Sequence, residues 1–367
     1  MVRLTSGLRY LAALLLAAFS EPLACAPAAA IPVFAHRFGF RCQVCHTTIP
    51  TLNEVGRRFL SSGYRLPGVH ERPDFPLAVK VNLAYSSAPD PSGLPKAIVD
   101  EIELLTGGHA GSSVSYFAET YVVDGGRPGA VRDLWVQYDT APGSLTRSPF
   151  APALRIGQFT LPLPVDPETF RETENHYALY DQTVGANPFD FFDPHAGAQL
   201  TFGLAGTSSV SVLALPGHDK QSGIPSLGTD FMAYAEHALG PLELSAYRYQ
   251  GARPIGLGRD AFWRQGYGLG AVAGKLGVVN VLQTGNDADA GFGQPEFSSG
   301  GFSEWRYAFS SAWTLVARYD GTQAGGALLR STTASLVRRL ATNSRLTLED
   351  VIAHGTHTLN AALLFAY

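Results

Sequence analysis

Charge is scarce in this chain. Lys, Arg, Asp and Glu make up 16% of its 367 residues, whereas 46% are hydrophobic; an ordinary soluble domain is about one-quarter charged. A basic excess is missing too, since 27 Lys and Arg against 31 Asp and Glu give a formal net charge of −4. Nothing in that balance points to nucleic acid as a partner. No stretch after the first thirty residues approaches 18 uninterrupted apolar residues, which excludes α-helical membrane spans. Methionine is limited to Met1 and Met232, and cysteine to Cys25, Cys42 and Cys45. No Ser-His-Asp arrangement, P-loop or zinc-protease motif is present. What the chain has in quantity is glycine and proline, 39 and 24 of them, so many short elements joined by turns are expected rather than a few long helices.

The first thirty residues read as an export signal. Arg3 and Arg9 precede the apolar core "LAALLLAAF", and "APAAA" offers a small-residue cleavage site ending at Ala28 or Ala30. The core is too short to span a bilayer as a helix. Cleavage there removes Cys25 and leaves Cys42 and Cys45. The competing reading, a lipid anchor on Cys25, is disfavoured by Pro22, which stands where a large aliphatic residue is usual.

The two remaining cysteines lie in "RCQVCHTTIP", a C-x-x-C-H motif. In an exported protein such a pair could form a disulfide or act in thiol exchange. His46, directly behind Cys45, favours covalent haem c instead. Thioethers from Cys42 and Cys45 would hold the porphyrin, and His46 would be the proximal iron ligand. Zinc would need a second Cys/His pair at suitable spacing, and none exists. Met1 is lost with the signal and Met232 is far along the chain, so the nearby candidates for the distal ligand are His36 and His70; a distal histidine generally gives a lower potential than a methionine. In "TTIPTLNEVGRRFLSSGYRLPG" Thr51 and Glu54 are spaced as a capping box. Leu52, Val55, Phe59 and Leu60 share one helical face, and Gly63 is placed to end the helix before Pro67.

From about Phe75 the pattern changes to period two. In "LAVKVNLAY" Val79, Val81 and Leu83 oppose Lys80 and Asn82; in "AWTLVARYDG" Trp313, Leu315, Ala317 and Tyr319 oppose Thr314, Arg318 and Asp320. "SVSYFAETYVV" and "RDLWVQYD" alternate less cleanly. Segments of about ten residues with one apolar face and aromatics near their ends are the signature of transmembrane β-strands. The last such segment, "LNAALLFAY", ends on the aromatic Tyr367, as outer-membrane barrels commonly do. The fold expected is an all-β transmembrane outer-membrane β-barrel of about 16 antiparallel strands, with 14 possible. A small N-terminal α-helical haem segment would plug its lumen. The domains are then 1–30 signal peptide, 31–72 monohaem cytochrome c segment and 73–367 barrel.

One region breaks the rhythm, from Leu161 to Gly197. A stretch that long without a strand pattern is usually functional, and an inserted loop folded into the lumen or over the mouth is expected. It carries Asp166, Glu168, Glu172, Glu174, Asp181, Asp190, Asp193, His176 and His195. Such residues could bind a cation such as Fe(II), but no ligand spacing is diagnostic and an acidic constriction or solvated loop is the favoured reading. "GNDADAGFGQPEF", near Asp287, carries the same ambiguity.

The segment "FAHRFGFRCQVCHTTIPTLNEVGRRFLSSGY" resembles the N-terminal segment of the fused monohaem cytochrome–porin family, outer-membrane cytochromes c that include iron oxidases. Phe34, Ala35, Gly39, Cys42, Cys45, His46, Pro50, Leu52, Asn53, Gly56, Phe59, Gly63 and Tyr64 carry the likeness, over about thirty residues. The resemblance implies an outer-membrane electron conduit that takes electrons from extracellular Fe(II) or a similar donor and passes them to a periplasmic cytochrome or other carrier. This barrel is shorter than expected for the iron-oxidising members, so the haem carries over more firmly than the substrate. An Fe(II) oxidoreductase is the enzyme implied, if it is one. A passive porin with a docking or structural haem segment, and an outward-directed reductase, are the alternatives. In each case the expected location is the bacterial outer membrane, with its lipid as a partner.

Overall fold

The computed structural model describes residues 34, 37–41, 44–48, 51–66, 68–69, 77–89, 95–141, 151–168, 171–204, 208–216, 228–256, 258–291, 293–341 and 343–367. The expected signal peptide, Cys42, His36 and His70 lie outside the described residues.

Sixteen antiparallel strands close into a barrel. In chain order they are β1 Ala78–Pro89, β2 Pro95–Ala110, β3 Val114–Asp124, β4 Val131–Asp139, β5 Ala153–Phe159, β6 His195–Gly203, β7 Ser209–Leu215 and β8 Asp230–Leu239. The second half runs β9 Leu242–Ile255, β10 Gly258–Ala273, β11 Leu276–Asp287, β12 Glu296–Ala308, β13 Trp313–Ala324, β14 Ala327–Ala341, β15 Ser344–Ala353 and β16 Thr356–Ala366. Each strand pairs with its sequence neighbours, and β16 returns to pair with β1 from Asn360↔Ser86 to Ala366↔Lys80. Val79 and Tyr367 extend that seam by exchanging backbone hydrogen bonds of 2.7 and 2.8 Å. Closure matters because an open edge of unpaired N–H and C=O groups cannot be tolerated in hydrocarbon.

The alternation read from the sequence is the inside–outside alternation of the wall. Along β13, Thr314, Val316, Arg318 and Asp320 are buried toward the lumen, whereas Leu315, Ala317 and Tyr319 are exposed on the outside. Leu134, Val136 and Tyr138 of β4 and Leu359 and Phe365 of β16 likewise face outward. Apolar surface distributed around the whole molecule in this way is what a lipid solvent requires.

An even number of antiparallel strands brings the start of β1 and the end of β16 to one rim, here called the termini rim. Tight turns such as 240–241 and 274–275 lie there. The opposite rim carries the longest connection, residues 160–194 between β5 and β6, and the next longest, 216–229; it is the long-loop rim below.

The 160–194 connection does fold into the lumen, as expected. Apolar anchors do part of the work: Leu161, Tyr177, Leu179, Tyr180, Phe189 and Phe191 are all buried. Phe189 packs 4.4 Å from Tyr249 and 4.7 Å from Phe262, and Tyr177 packs 4.5 Å from Phe302 of the wall, ring centre to ring centre. Polar pins do the rest. Arg318 donates to Thr173 Oγ1 at 2.9 Å and to the carbonyls of Asn175 and His176 at 2.9 and 2.6 Å. Glu349 accepts the backbone N–H groups of Glu174 and Asn175 at 3.0 and 2.8 Å. Asn187 donates to Asp260 and Asp287. Asp287, read from the sequence as part of an acidic loop, is instead the buried end of β11 and pairs with Arg264 at 2.7 Å.

Candidate functional site

The described residues between 34 and 69 also lie in the lumen, toward the termini rim. Helix α1 spans Glu54–Ser61. Its cap is Asn53 rather than the expected Thr51: Asn53 Oδ1 accepts the Gly56 N–H at 3.0 Å. Thr51 is occupied in a two-stranded ladder in which His46 faces Leu52 and Thr48 faces Thr51. The Asn53 side chain also donates to the Val44 carbonyl at 3.0 Å, and its N–H to that of Cys45 at 2.9 Å. A single residue thus starts the helix and ties it to the C-x-x-C-H strand.

Gly63 ends the helix as expected, with φ at +68°, and Tyr64 follows at +63°. A non-glycine residue in that region is uncommon, and here packing fixes it. Tyr64 stacks on Phe34 at 4.4 Å and on Trp135 of β4 at 5.9 Å, and it lies 6.0 Å from Phe117 of β3. Phe59 meets Phe34 and Phe38 edge-on at 5.0 and 5.4 Å. Arg65 donates to the Val114 carbonyl at 2.7 Å, which secures the end of the segment to the barrel wall. Val55, expected on the apolar face, is exposed instead, whereas Gly56 and Phe59 are buried.

Between this segment, the wall and the 160–194 insert lies a cavity of about 1650 Å³, solvent at its mouth included. Cys45 and His46 both line it, with Phe38, Phe59, Phe117 and Trp135 among its apolar wall. Lys80, Glu119, Arg155, Arg171 and Arg345 supply charge around the same space. Arg155 stacks 4.0 Å over the Trp135 ring, and Lys80 pairs with Glu103. Lys80, Phe117, Arg155 and Leu364 sit within about five residues of the termini-rim ends of their strands. The cavity therefore belongs to that half of the barrel.

These residues fit the covalent haem expected from the motif. A thiol and an imidazole from adjacent positions open onto one aromatic-walled space, which suits a flat apolar macrocycle, and Arg155, Arg171 and Arg345 stand in its charged lining beside Glu103, Glu119, Asp133 and Glu168. Burial pushes the Cys45 thiol above its ordinary range, which works against the thiolate that zinc or thiol exchange requires. Met232 faces the lumen but is not among the residues that line the cavity. Gly56 explains its place in the motif: a Cβ there would meet the Cys45 carbonyl oxygen at 2.2 Å. Gly56→Ala must therefore push α1 away from the C-x-x-C-H strand, an overpacking cost of about 1–3 kcal/mol. The expected outcome is loss of most covalently attached haem in gel haem staining, with barrel migration unchanged.

The acidic residues of the insert are not gathered into a metal site. Among the described residues, no three His, Cys, Asp or Glu side chains cluster in a way that could hold an ion. Glu168 pairs with Arg132 and accepts from Tyr121, Glu174 faces Arg345 at 3.9 Å, and Asp181 meets His176 at 3.1 Å. These carboxylates secure the insert. The lumen-facing polar residues named from the sequence do the same work: Asn82 donates to Glu174, and Arg318 holds the insert's backbone.

Asp190 is the exception with a pH consequence. Burial, reinforced by Asp193 and Asp181, pushes its carboxyl up to about 7, despite the N–H groups of Phe192 and Asp193 that it accepts at 3.0 and 3.1 Å. A raised acid pKa penalises the folded state as pH climbs from the ordinary carboxylate range to about 7, and fully above it. Asp190→Asn keeps the accepting oxygen and removes the charge. It should stabilise the insert by about 1–2 kcal/mol at pH 8, after allowance for the carboxylate's partial solvent contact, and by nothing near pH 4. Hydrogen exchange of residues 180–193, variant against parent at each pH, measures the difference.

No family model matches the chain, and no curated protein matches it. Solved structures do. An anion-selective porin from Comamonas acidovorans aligns with a TM-score of 0.62 and 13% identity, over 79% of this chain and 98% of that one. Salmonella typhi OmpF, in a complex with daunomycin, aligns at 0.60 and 10% identity, over 79% and 97%. The outer-membrane channel DcaP of Acinetobacter baumannii aligns at 0.59 and 11% identity, over 79% and 96%. At such identities the likeness is one of fold, and the fold is that of an outer-membrane porin.

Proposed function

We propose that this porin-fold barrel is an outer-membrane electron conduit that houses one haem c on Cys42, Cys45 and His46. The observation that carries the reading is the lumen cavity onto which Cys45 and His46 open. Bound there, haem c supplies a one-electron Fe(III)/Fe(II) couple. Cys42 and Cys45 would tether the haem, and His46 would ligate its iron. Phe38, Phe59, Phe117 and Trp135 would exclude water from it, and Arg155, Arg171 and Arg345 would offer cationic partners for its carboxylates. Either His36 or His70 is the proposed distal ligand. The long-loop rim is placed outside the cell, following the rule that outer-membrane barrels keep short turns in the periplasm. The cavity then lies nearer the periplasm, within reach of a periplasmic cytochrome or other carrier, while the donor, Fe(II) or similar, reacts at the far rim.

Reconstitution tests the reading. Full-length protein matured with a c-type haem assembly system should show a covalent haem by haemochrome spectrum. In liposomes it should pass electrons from external Fe(II) to internal ferricyanide. A covalent haem without transmembrane transfer would sink the conduit.

A passive porin is the second reading, favoured by the fold likeness to three porins and channels. It requires open-channel conductance in planar bilayers that deletion of residues 31–72 leaves unchanged. The conduit reading expects low conductance that rises on that deletion, because the segment and the insert both occupy the lumen. An outward-directed reductase uses the same parts, and a redox titration of the haem separates it from an oxidase.

A further inference from the structure

A second recess lies on the outside of the barrel, away from the lumen cavity. It spans β8, β9 and β10 near the long-loop rim and encloses about 750 Å³, open solvent included. Its lining includes Phe231, Arg248, Gln250, Arg259 and Trp263. Strand parity sets their direction. Arg248 is exposed between Tyr247 and Tyr249, which are both buried in the lumen, and Gln250 is exposed as well. On β10, Arg259 and Ala261 are exposed on either side of the buried Asp260, and Phe262 is buried beyond them. Both arginines therefore point at the bilayer side of the wall.

The apolar belt lies directly below them. On the same two strands, toward the termini rim, the outward residues are Leu242, Leu244, Tyr267 and Leu269. Phe231, Trp263 and Phe297 form the aromatic fringe at the upper edge, with Trp263 6.3 Å from Phe297. Arg248 lies 4.1 Å over the Trp263 ring and donates to Gln265 at 3.1 Å. An arginine on the lipid face costs about 2–4 kcal/mol at mid-membrane but little at the interface, and stacking on the fringe tryptophan holds this one at the interface. The one carboxylate in the lining, Asp230, is committed to the lumen. It accepts from Arg253 at 2.6 Å, Tyr249 at 2.7 Å and the Ala252 N–H at 3.2 Å. The recess thus presents two cations and an amide to the headgroup layer, with no anion of its own facing outward.

We propose that this recess binds the phosphorylated headgroup of an anionic lipid in the leaflet at the long-loop rim, with Arg248 and Arg259, whose rows on the wall lie six residues apart, as ligands of separate phosphates and Gln250 as a further donor. Arginine suits the task because its planar fork donates two charge-assisted hydrogen bonds to one phosphate. The acyl chains would lie against Phe231 and the apolar belt beneath. The assignment does not depend on the haem.

Native mass spectrometry of the full-length, delipidated protein in neutral detergent tests it, with lipid A carrying two phosphates as the probe. The bisphosphorylated lipid should bind about tenfold more tightly than its dephosphorylated form, a difference of about 1.4 kcal/mol. Arg248→Ala with Arg259→Ala should erase that preference, and so should the longer Arg248→Gln with Arg259→Gln. Arg330→Ala with Arg338→Ala removes two other outward arginines and should leave it intact. A preference that survives either Arg248/Arg259 pair, or falls equally in the Arg330/Arg338 pair, would overturn the site. Displacement of the lipid by excess inorganic phosphate would overturn the lipid as its occupant.

Discussion

Cys42→Ala with Cys45→Ala yields a barrel that folds and inserts normally and carries no covalent haem. The two outcomes separate because the parts are held together differently. The barrel's ladder is continuous from β1 to β16, and the backbone pairing described for the C-x-x-C-H strand is with Thr51 and Leu52. Heat-modified gel migration should match the parent, whereas haem staining after denaturation falls to background. In liposomes, electron transfer should fall to that of empty vesicles. His46→Ala is the informative partner, because on the proposed reading it would keep both thioethers and remove the proximal iron ligand. It should retain the haem stain and lose the parent's absorbance spectrum and midpoint potential. A double cysteine variant that still transfers electrons at the parent's rate would remove the haem from the mechanism.

Arg318→Ala should release the insert and raise conductance. This side chain is 1% exposed, and every direction in which it can donate is used. It joins Asp320 at 2.7 Å and Glu304 at 3.5 Å on the wall to Thr173, Asn175 and His176 of the insert, with its guanidinium 4.3 Å over Tyr177. Truncation leaves the carboxylates of Asp320 and Glu304 buried without that cation, and breaking one side of a buried pair typically costs about 3–5 kcal/mol. The wall retains its backbone ladder, so the cost falls on the insert. Single-channel recordings should show larger and noisier openings than the parent, and proteolysis should cut within 171–194 first. Arg318→Lys restores a charge but not the fork, and it should recover only part of the closure. Unchanged conductance in Arg318→Ala would mean that Glu349, Asn187 and the aromatic anchors hold the insert without it.

The wall was legible in the sequence because each strand has two different solvents. "AWTLVARYDG" alternates cleanly since Leu315, Ala317 and Tyr319 meet lipid while Thr314, Arg318 and Asp320 meet a polar lumen. "RDLWVQYD" and "SVSYFAETYVV" alternate poorly for a reason that only the structure supplies. Trp135 and Phe117 point inward, where the N-terminal segment needs an aromatic platform. Imperfect alternation was thus the trace of the site. The cap on α1 was misplaced because Thr51 and Asn53 are both competent caps, and the choice depends on the ladder that engages Thr51. The pins of the insert could not be read at all. Arg318 and Thr173 are 145 residues apart, as Glu349 and Glu174 are 175 apart, and no local pattern links such pairs.

The seam of the barrel bears on the order in which the molecule is built. Lys80 of β1 and Leu364 and Ala366 of β16 line the cavity, and those are the two strands that join the chain's ends. One wall of the chamber therefore does not exist until the last strand has been made, delivered and zipped to the first. Assembly is thus a carpentry problem: the joint between the first and last strands both seals the wall against lipid and completes the chamber that the N-terminal segment occupies.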